Sequence, residues 1–348
     1  MNTSAWVEGS EPPGTPGALK VAVTGGAGYI GSHAVAELVS LGHQVTVIDD
    51  FSAGHEEAVP EPAARLVRGD VGNLGAMTVA LAGHDAIMHF AGLLSVGGSM
   101  KDPRSYFETN LVKGITLLDA ARAAGVHRFI FSSTCATYGV PKGDLTEDHP
   151  KEPVNPYGAS KRAFEQVLEA YARIGQVRAI ALRYFNAAGA RRDGSLGEDH
   201  AHEEHLIPLA LDAAAGRRGP LTVFGDDYET PDGTCLRDYI HVDDLARAHV
   251  LALDAVDRVE TRFAAVNLGT GRGTSVREVI QSVERVTGTK VPHAVGPRRA
   301  GDPPSLVAVP TRSRTVLGFE PEVVSIDEIV ETAWKWRKTH PQGYSSGR

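Results

Sequence analysis

Cysteine is scarce: Cys135 and Cys235 are the only two in 348 residues, too few for a disulfide framework and in keeping with a reducing, cytoplasmic setting. No apolar run approaches the length needed to cross a bilayer, so no membrane partner is expected. No basic block stands against the formal net charge of −8, which argues against a nucleic-acid surface. Any anionic ligand must therefore be met by a few placed groups. Tryptophan is rare as well, and Trp6, Trp334 and Trp336 lie towards the chain ends, away from any chemical motif. Residues 1–18 are rich in proline and glycine and lack the basic start, apolar run and cleavage site of a secretory signal. They read as a disordered leader, and residues 343–348 as a flexible tail.

What is present between them is an alternation. Apolar runs at Leu19 to Val23, Gln44 to Ile48, Leu66 to Arg68, Ala86 to His89, Phe129 to Phe131 and Arg178 to Arg183 are separated by stretches with helical periodicity. Strands alternating with helices imply right-handed βαβ units and a parallel sheet. One long helix is expected over about 103–125, with Leu111, Ile115 and Leu118 on one stripe. Another starts at Asn155-Pro156, where Asn is a good cap and Pro suits the first helical position. Beyond Arg183 the pattern loosens into Gly- and Pro-rich loops with short helices.

The first strand runs into Thr24-Gly-Gly-Ala-Gly-Tyr-Ile-Gly31, and a helix follows. A strand, then Gly25, Gly28 and Gly31, then a helix is the context in which backbone N–H groups hold a dinucleotide pyrophosphate. The next strand ends in Asp49-Asp50, eighteen residues beyond Gly31. A carboxylate there accepts from ribose hydroxyls and repels a 2′-phosphate, favouring NAD over NADP; a solvated acidic turn is the alternative. Asp70-Val71, at the end of the following strand, is either the adenine end of the cofactor site or a strand-end cap.

Tyr157 and Lys161 are four apart in the first turns of the Asn155-Pro156 helix, one above the other on one face. An ammonium there, with the helix dipole, biases the phenol towards phenolate. A phenolate beside a dinucleotide is a base for an alcohol that loses hydride from the same carbon. Ser132, Ser133 and Thr134 bring hydroxyls to the carboxyl edge of the sheet, where doubly wound folds bind ligands. The expectation is an α/β fold: a doubly wound parallel (Rossmann) sheet over 19–186 with a smaller mixed α/β lobe over 187–342, of which about 239–268 return to the first domain.

These segments, with His89-Phe-Ala-Gly92, Asn155-Pro-Tyr-Gly-Ala-Ser-Lys161, Arg183-Tyr-Phe-Asn-Ala-Ala-Gly189, Phe224-Gly-Asp-Asp-Tyr228 and Arg237-Asp-Tyr-Ile-His241, resemble the extended short-chain dehydrogenase/reductases, and among them the UDP-sugar 4-epimerases. The resemblance covers about residues 19–340. It implies interconversion of UDP-galactose and UDP-glucose through a 4-keto sugar, with NAD regenerated each turnover and a homodimer. Tyr157 would be the base, Thr134 its partner on the sugar 4-hydroxyl, and Lys161 the group that holds the nicotinamide ribose. Gly25, Gly28, Tyr29, Ile30, Gly31, Asp49, Asp50, Asp70, Val71, Phe90, Ala91, Gly92, Asn110 and Ser132 would line the NAD site, closed by Tyr184 and Phe185. Asn186, His205, Leu206, Leu221, Thr222, Phe224, Arg237, Tyr239, Arg299 and Asp302 would hold the UDP half.

Three positions depart from the family pattern. Leu94 replaces a lysine that some members place near the cofactor, His205 an asparagine, and Leu306 a tyrosine that narrows the hexose pocket in some epimerases. Leu306 thus suggests turnover of N-acetylated UDP-hexoses. The His200, His202, Glu203, Glu204, His205 segment lacks the i, i+4 histidine pair of a zinc hydrolase, and no metal is expected. Cys135 reads as buried filler, and Glu147, Asp148 and His149 as a solvated loop. A nucleotide-sugar dehydratase would need an acid pair after Thr134, where Cys135-Ala136 stand. Epimerases of UDP-arabinose/UDP-xylose or of UDP-glucuronate, and a non-catalytic NAD sensor, remain as alternatives.

Overall fold

The computed structural model describes residues 17–60, 63–141, 143–299 and 301–344. Seven parallel strands form its main sheet. In spatial order they are Phe263–Leu268, Arg178–Tyr184, Arg128–Thr134, Ala86–His89, Lys20–Thr24, Gln44–Asp49 and Ala64–Arg68. The strands read as continuous apolar runs because helices cover both faces. Val21, Val23, Val47, Met88, Ile130 and Ile180 fill one face, and Ala22, Ile48, Ile87, Phe129, Phe131 and Ala179 the other. From Lys20–Thr24 the chain builds outwards first on one side and then on the other. The crevice between Lys20–Thr24 and Ala86–His89 is therefore the topological switch point, the place where such sheets take ligands.

Strand register aligns the chemistry. Thr24 lies opposite His89, His89 opposite Phe131, and Thr134 opposite Tyr184, so the carboxyl ends share one edge. The expected strands are all present, and Arg128–Thr134 is longer than its apolar run suggested, carrying Ser132 and Thr134 to its end. The expected long helix starts at Pro103 and ends at Ala123, with a wider i→i+5 turn over Glu108–Val112. Asn110 sits in that turn, a distortion common at functional sites. The Pro156–Arg173 helix begins as expected, with the Asn155 side chain accepting from Gly158 N–H. Its apolar stripe faces its own sheet: Phe164 and Leu168 are fully buried, and Val167 and Tyr171 pack on the same cluster. They are thus not free to form a subunit contact.

The smaller lobe contains a sheet of Asn186–Ala188, Leu236–His241, Gly273–Ser275 and Ser305–Leu306, and a second pair, Leu221–Phe224 with His293–Gly296. Its apolar core is closed by the Leu206–Ala214, Val276–Thr287 and Ile326–Thr339 helices. The Val242–Ala255 helix packs on Tyr29–Ser40, and Phe263–Leu268 adds an edge strand to the main sheet. The leader lies mostly outside the described residues, as does 345–348. Gly343 and Tyr344 are held: Tyr344 N–H donates to Asp199, and its ring lies 4.8 Å from that of His55. No helix among the described residues is long and apolar enough to cross a membrane, and both cysteines are free and buried.

One buried ion pair joins three elements. Arg183 donates through Nε to Glu165 Oε1 at 2.8 Å and through its second terminal nitrogen to Oε2 at 2.6 Å. Ser133 donates to Glu165 at 2.6 Å, and Tyr138 links Arg183 to Asn267. Burial works against the Arg183 charge, and the Glu165 hydrogen bonds and charge more than reverse that effect. Glu165→Leu leaves the buried Arg183 without a counter-ion and should cost about 3–5 kcal/mol in denaturant unfolding, whereas Arg183→Met leaves Glu165 with Arg162 at 3.1 Å and should cost less. The double variant should recover much of that loss. A Glu165→Leu cost of less than about 1 kcal/mol would contradict this view of the pair.

Candidate active site

The glycine turn is closed by backbone approaches that leave no space for side chains. Gly25 has φ +71° and a Cβ there would fall 2.5 Å from Ala91 N; one on Gly31 would fall 2.1 Å from Gly25 O. Gly28 caps the Tyr29–Ser40 helix with no side-chain hydrogen bond, which leaves N-terminal N–H groups for an anion. Residues at this turn therefore fit a dinucleotide pyrophosphate. Tyr29 points away, donating to Gly189 O at 2.7 Å, and Ile30 packs into the core beneath.

Asp49 ends its strand buried, accepting from Ala27 N–H at 3.0 Å and Phe51 N–H at 2.9 Å. Burial raises its pKa despite those bonds. The exposed Asp50 holds Ser52 instead. Asp70 is tied to Lys113 at 2.7 Å, beside the buried Val71; this pair, 43 residues apart, left no local signal in the sequence. Asn110 braces the Phe90-Ala91-Gly92 loop. Its amide bonds both the N–H and the C=O of Leu93 and donates to Ser160 on the Tyr157 helix. A Cβ on Gly92 would lie 2.8 Å from Asn110 Oδ1 and 3.4 Å from Lys161 Nζ, so the Phe90-Ala91-Gly92 loop and the Pro156–Arg173 helix lie side by side. Phe90 packs on His249 at 4.5 Å, and Leu94 is exposed.

Lys161 is buried and donates to Ser132 O at 3.0 Å, its ammonium 5.0 Å from the Phe131 ring. Burial lowers its pKa to about 8. Tyr157 is half-buried beside Thr134, its ring 6.5 Å from that of Tyr106. The structure corrects one expectation. Burial pushes the Tyr157 phenol up to about 12, and the hydrogen bond to Thr134 only partly offsets this. The Lys161 ammonium is engaged with Ser132 O, so lowering the phenol needs a further positive charge. Tyr184 and Ser132 share a short hydrogen bond, and Phe185 packs with Cys135, Tyr138 and Leu306. Burial lifts the Cys135 thiol to about 12, which leaves it inert at neutral pH.

A protein-family model, the NAD dependent epimerase/dehydratase family, matches residues 21–269. The chain belongs to this family. Over 329 residues it is 47% identical to a UDP-glucose 4-epimerase of Lactobacillus helveticus, covering 94% of this chain and 99% of that protein. The crystal structure of the Brucella ovis UDP-glucose 4-epimerase in complex with NAD superposes with a TM-score of 0.88 at 48% identity, covering 91% of this chain and 98% of that one. The Bifidobacterium longum enzyme in complex with NAD+ and UDP gives 0.87 at 37% identity, covering 93% and 100%. The cofactor of this NAD-dependent family and the glycine turn agree.

The family match runs through the first part of the smaller lobe, where the remaining candidates gather. Asn186 lies opposite Tyr239, and Leu306 opposite Arg237, in the lobe's sheet. Arg237 is paired with Asp302 and also donates to Pro303 O at 3.0 Å. The two residues expected to hold separate parts of a nucleotide thus bond each other, because a fixed cation turns to the nearest carboxylate. Arg299 lies 4.1 Å above the Phe224 ring, on the strand carrying Leu221 and Thr222. His205 precedes the helix that starts at Leu206, and its Nδ1 is bound to Glu198. Only Nε2 is left for a ligand, a partner that the sequence reading missed. Glu165, Ser160 and Tyr106 were missed too, although Glu165 continues the Tyr157, Lys161 series at i+8 and could have been found from it.

Lys161 gives a pH test. An ordinary lysine ionises near 10.5, and burial brings this one to about 8. Between those values the folded protein binds fewer protons than the unfolded chain, so stability rises with pH and is lost as pH falls through the same window. Denaturant unfolding of NAD-free protein at about pH 7.5 and about pH 9.5 should show a rise that Lys161→Met lacks. Equal slopes for the two proteins would contradict the assignment.

Proposed function

We propose that the chain is a UDP-glucose 4-epimerase that interconverts UDP-galactose and UDP-glucose by inverting C4 through a bound 4-keto sugar. The observation that carries this is the placing of Tyr157, Thr134 and Lys161 on one sheet edge, between a glycine turn suited to a dinucleotide and a lobe presenting Arg237 and Arg299. The names of its relatives support the same reading.

In this proposal Gly25, Gly28, Asp49, Asp70, Asn110 and Lys161 hold NAD, which when bound supplies a hydride acceptor and a pyridinium charge. Thr134 receives the sugar 4-hydroxyl and relays its proton to Tyr157. Lys161, largely protonated at neutral pH, donates to the ribose, and the phenol of Tyr157 ionises once the pyridinium charge is added. After the sugar has turned, C4 takes the hydride back on its other face while Tyr157 returns the proton to the 4-keto oxygen, so the net redox change is zero. Arg237, Arg299, Asn186 and His205 Nε2 grip the diphosphate, and Asp302, released from Arg237, accepts from the uridine ribose. Tight binding of the nucleotide with few contacts to the hexose lets the sugar present either face without escaping. A homodimer built on the outer faces of the Pro103–Ala123 and Pro156–Arg173 helices belongs to this proposal; the exposed Phe107 and Val112 supply apolar surface for it.

The test is UDP-galactose conversion by purified protein without added NAD, with UDP-glucose detected after the protein is removed. Product is expected, and Tyr157→Phe should retain NAD while losing about 10²–10⁴ in rate. Full activity in that variant would overturn the assignment of the base, and an intact cofactor with no turnover of either hexose would move the reading to a pentose or uronate sugar nucleotide.

Leu306 packs against Phe185 beside Cys135, where a smaller side chain than tyrosine leaves width for an N-acetyl group. Slow turnover of UDP-N-acetylglucosamine is expected, and Leu306→Tyr should reduce it at least about tenfold more than it reduces UDP-galactose turnover. No detectable turnover of the N-acetylated sugar in the unaltered protein would rule this out.

A further inference from the structure

Between the Asn186–Ala188 strand and the Leu206–Ala214 helix, the chain folds four side chains into one cluster. One donor atom from each of Glu198, His200, Glu203 and His205 lies within 4.8 Å of all the others. We infer that these four residues form a binding site for one divalent transition-metal ion, with Zn2+ as the ion that best suits the donor set.

Three observations carry this. The first is spacing. His200 Nδ1 stands 3.4 Å from Glu198 Oε1 and 3.4 Å from Glu203 Oε2. Zinc bonds of ~2.0–2.1 Å in a tetrahedron put neighbouring ligand atoms about 3.3 Å apart. These separations are too long for good hydrogen bonds and suit a shared ion. His205 and Glu198 alone are closer, as a hydrogen-bonded pair that the ion would open.

The second is an unspent ligand atom. Glu203 Oε1 accepts from the N–H groups of Glu204 and His205, at 2.9 and 2.8 Å, whereas the buried Oε2 has no hydrogen-bond partner. Its side chain is 11% exposed and Glu198 only 6%, so water contributes little. That oxygen has the His200 ion-pair contact at 3.4 Å and no hydrogen bond, which leaves its lone pairs free for an ion.

The third is a fixed frame. Gly197 N–H donates to the Tyr344 hydroxyl at 3.2 Å, and Asp199 holds Tyr344 N–H at 3.0 Å and His55 at 3.3 Å, pinning the chain on both sides of Glu198. Two carboxylates and two neutral imidazoles around a divalent cation also give zero net charge. Two nitrogens and two carboxylate oxygens suit Zn2+ and not Mg2+, which prefers six oxygens. Four protein ligands make the site structural. It would clamp this loop where the His200 ring meets Tyr29, 6.3 Å away, and fix His205 with Nε2 as its free donor.

The experiment is a Co2+ titration of untagged, chelator-treated full chain, followed by visible absorption. Saturation near one equivalent per chain, with the bands of tetrahedral cobalt and displacement by Zn2+, is expected. Glu203→Gln and His200→Asn should each weaken binding at least about tenfold, and His202→Asn should not. Absence of a saturable signal, or a signal that survives both ligand substitutions, would overturn the site. A melting measurement on the unaltered protein is independent of how the variants fold. Zn2+ should raise the melting temperature where Mg2+ does not, and no shift with Zn2+ would overturn the inference.

Discussion

The Arg183–Glu165 pair is the constraint on which the site's geometry depends. Glu165 is on the helix that carries Tyr157 and Lys161, Arg183 is on the strand that ends in Tyr184, and Ser133 bonds Glu165 from the strand that ends in Thr134. One ionic contact thereby fixes helix to sheet one turn below the reacting groups. A buried pair is a weak source of net stability, yet it holds geometry well because Glu165 is gripped from the sheet by Arg183 and Ser133 and from its own helix by Arg162 at 3.1 Å. Lys161 Nζ on Ser132 O and Asn110 on Ser160 repeat the bracing closer to the crevice.

Within that frame the electrostatics are set for a filled site. Burial keeps the Tyr157 phenol near 12 and the Lys161 ammonium near 8, so the protein alone holds an acid and not a base. The same economy shows in the nucleotide lobe, where Arg237 rests on Asp302 until both are needed. Under the proposed function, binding reassigns partners that already exist, which avoids leaving unpaired charges in the crevice of a chain with an overall negative charge.

The doubly wound sheet was legible because buried parallel strands are continuous apolar runs and the glycine turn has a spacing set by backbone contacts. Asn155-Pro156 announced its helix, and Tyr157 and Lys161 followed from a spacing of four. What was illegible depends on distance in sequence: Asp70 with Lys113, Arg237 with Asp302, Asn110 with Leu93 and Ser160. The wide turn at Glu108–Val112 left the helical pattern intact, so periodicity gave no warning of it. The histidine and glutamate segment was judged by the spacing of a helical metal site. The four donors proposed as a metal site meet through an irregular loop, and Glu198 lies outside the His200–His205 run.

The central claim is that hydride leaves C4 of the sugar and returns to the same carbon, with Tyr157 handling only the proton. The direct measurement is conversion of UDP-galactose carrying deuterium at C4, in ordinary water, followed by mass and NMR analysis of the UDP-glucose formed. The account predicts that the deuterium stays on C4 of the product. Replacement of the label by solvent hydrogen would contradict it, since that outcome requires the C4 hydrogen to leave as a proton.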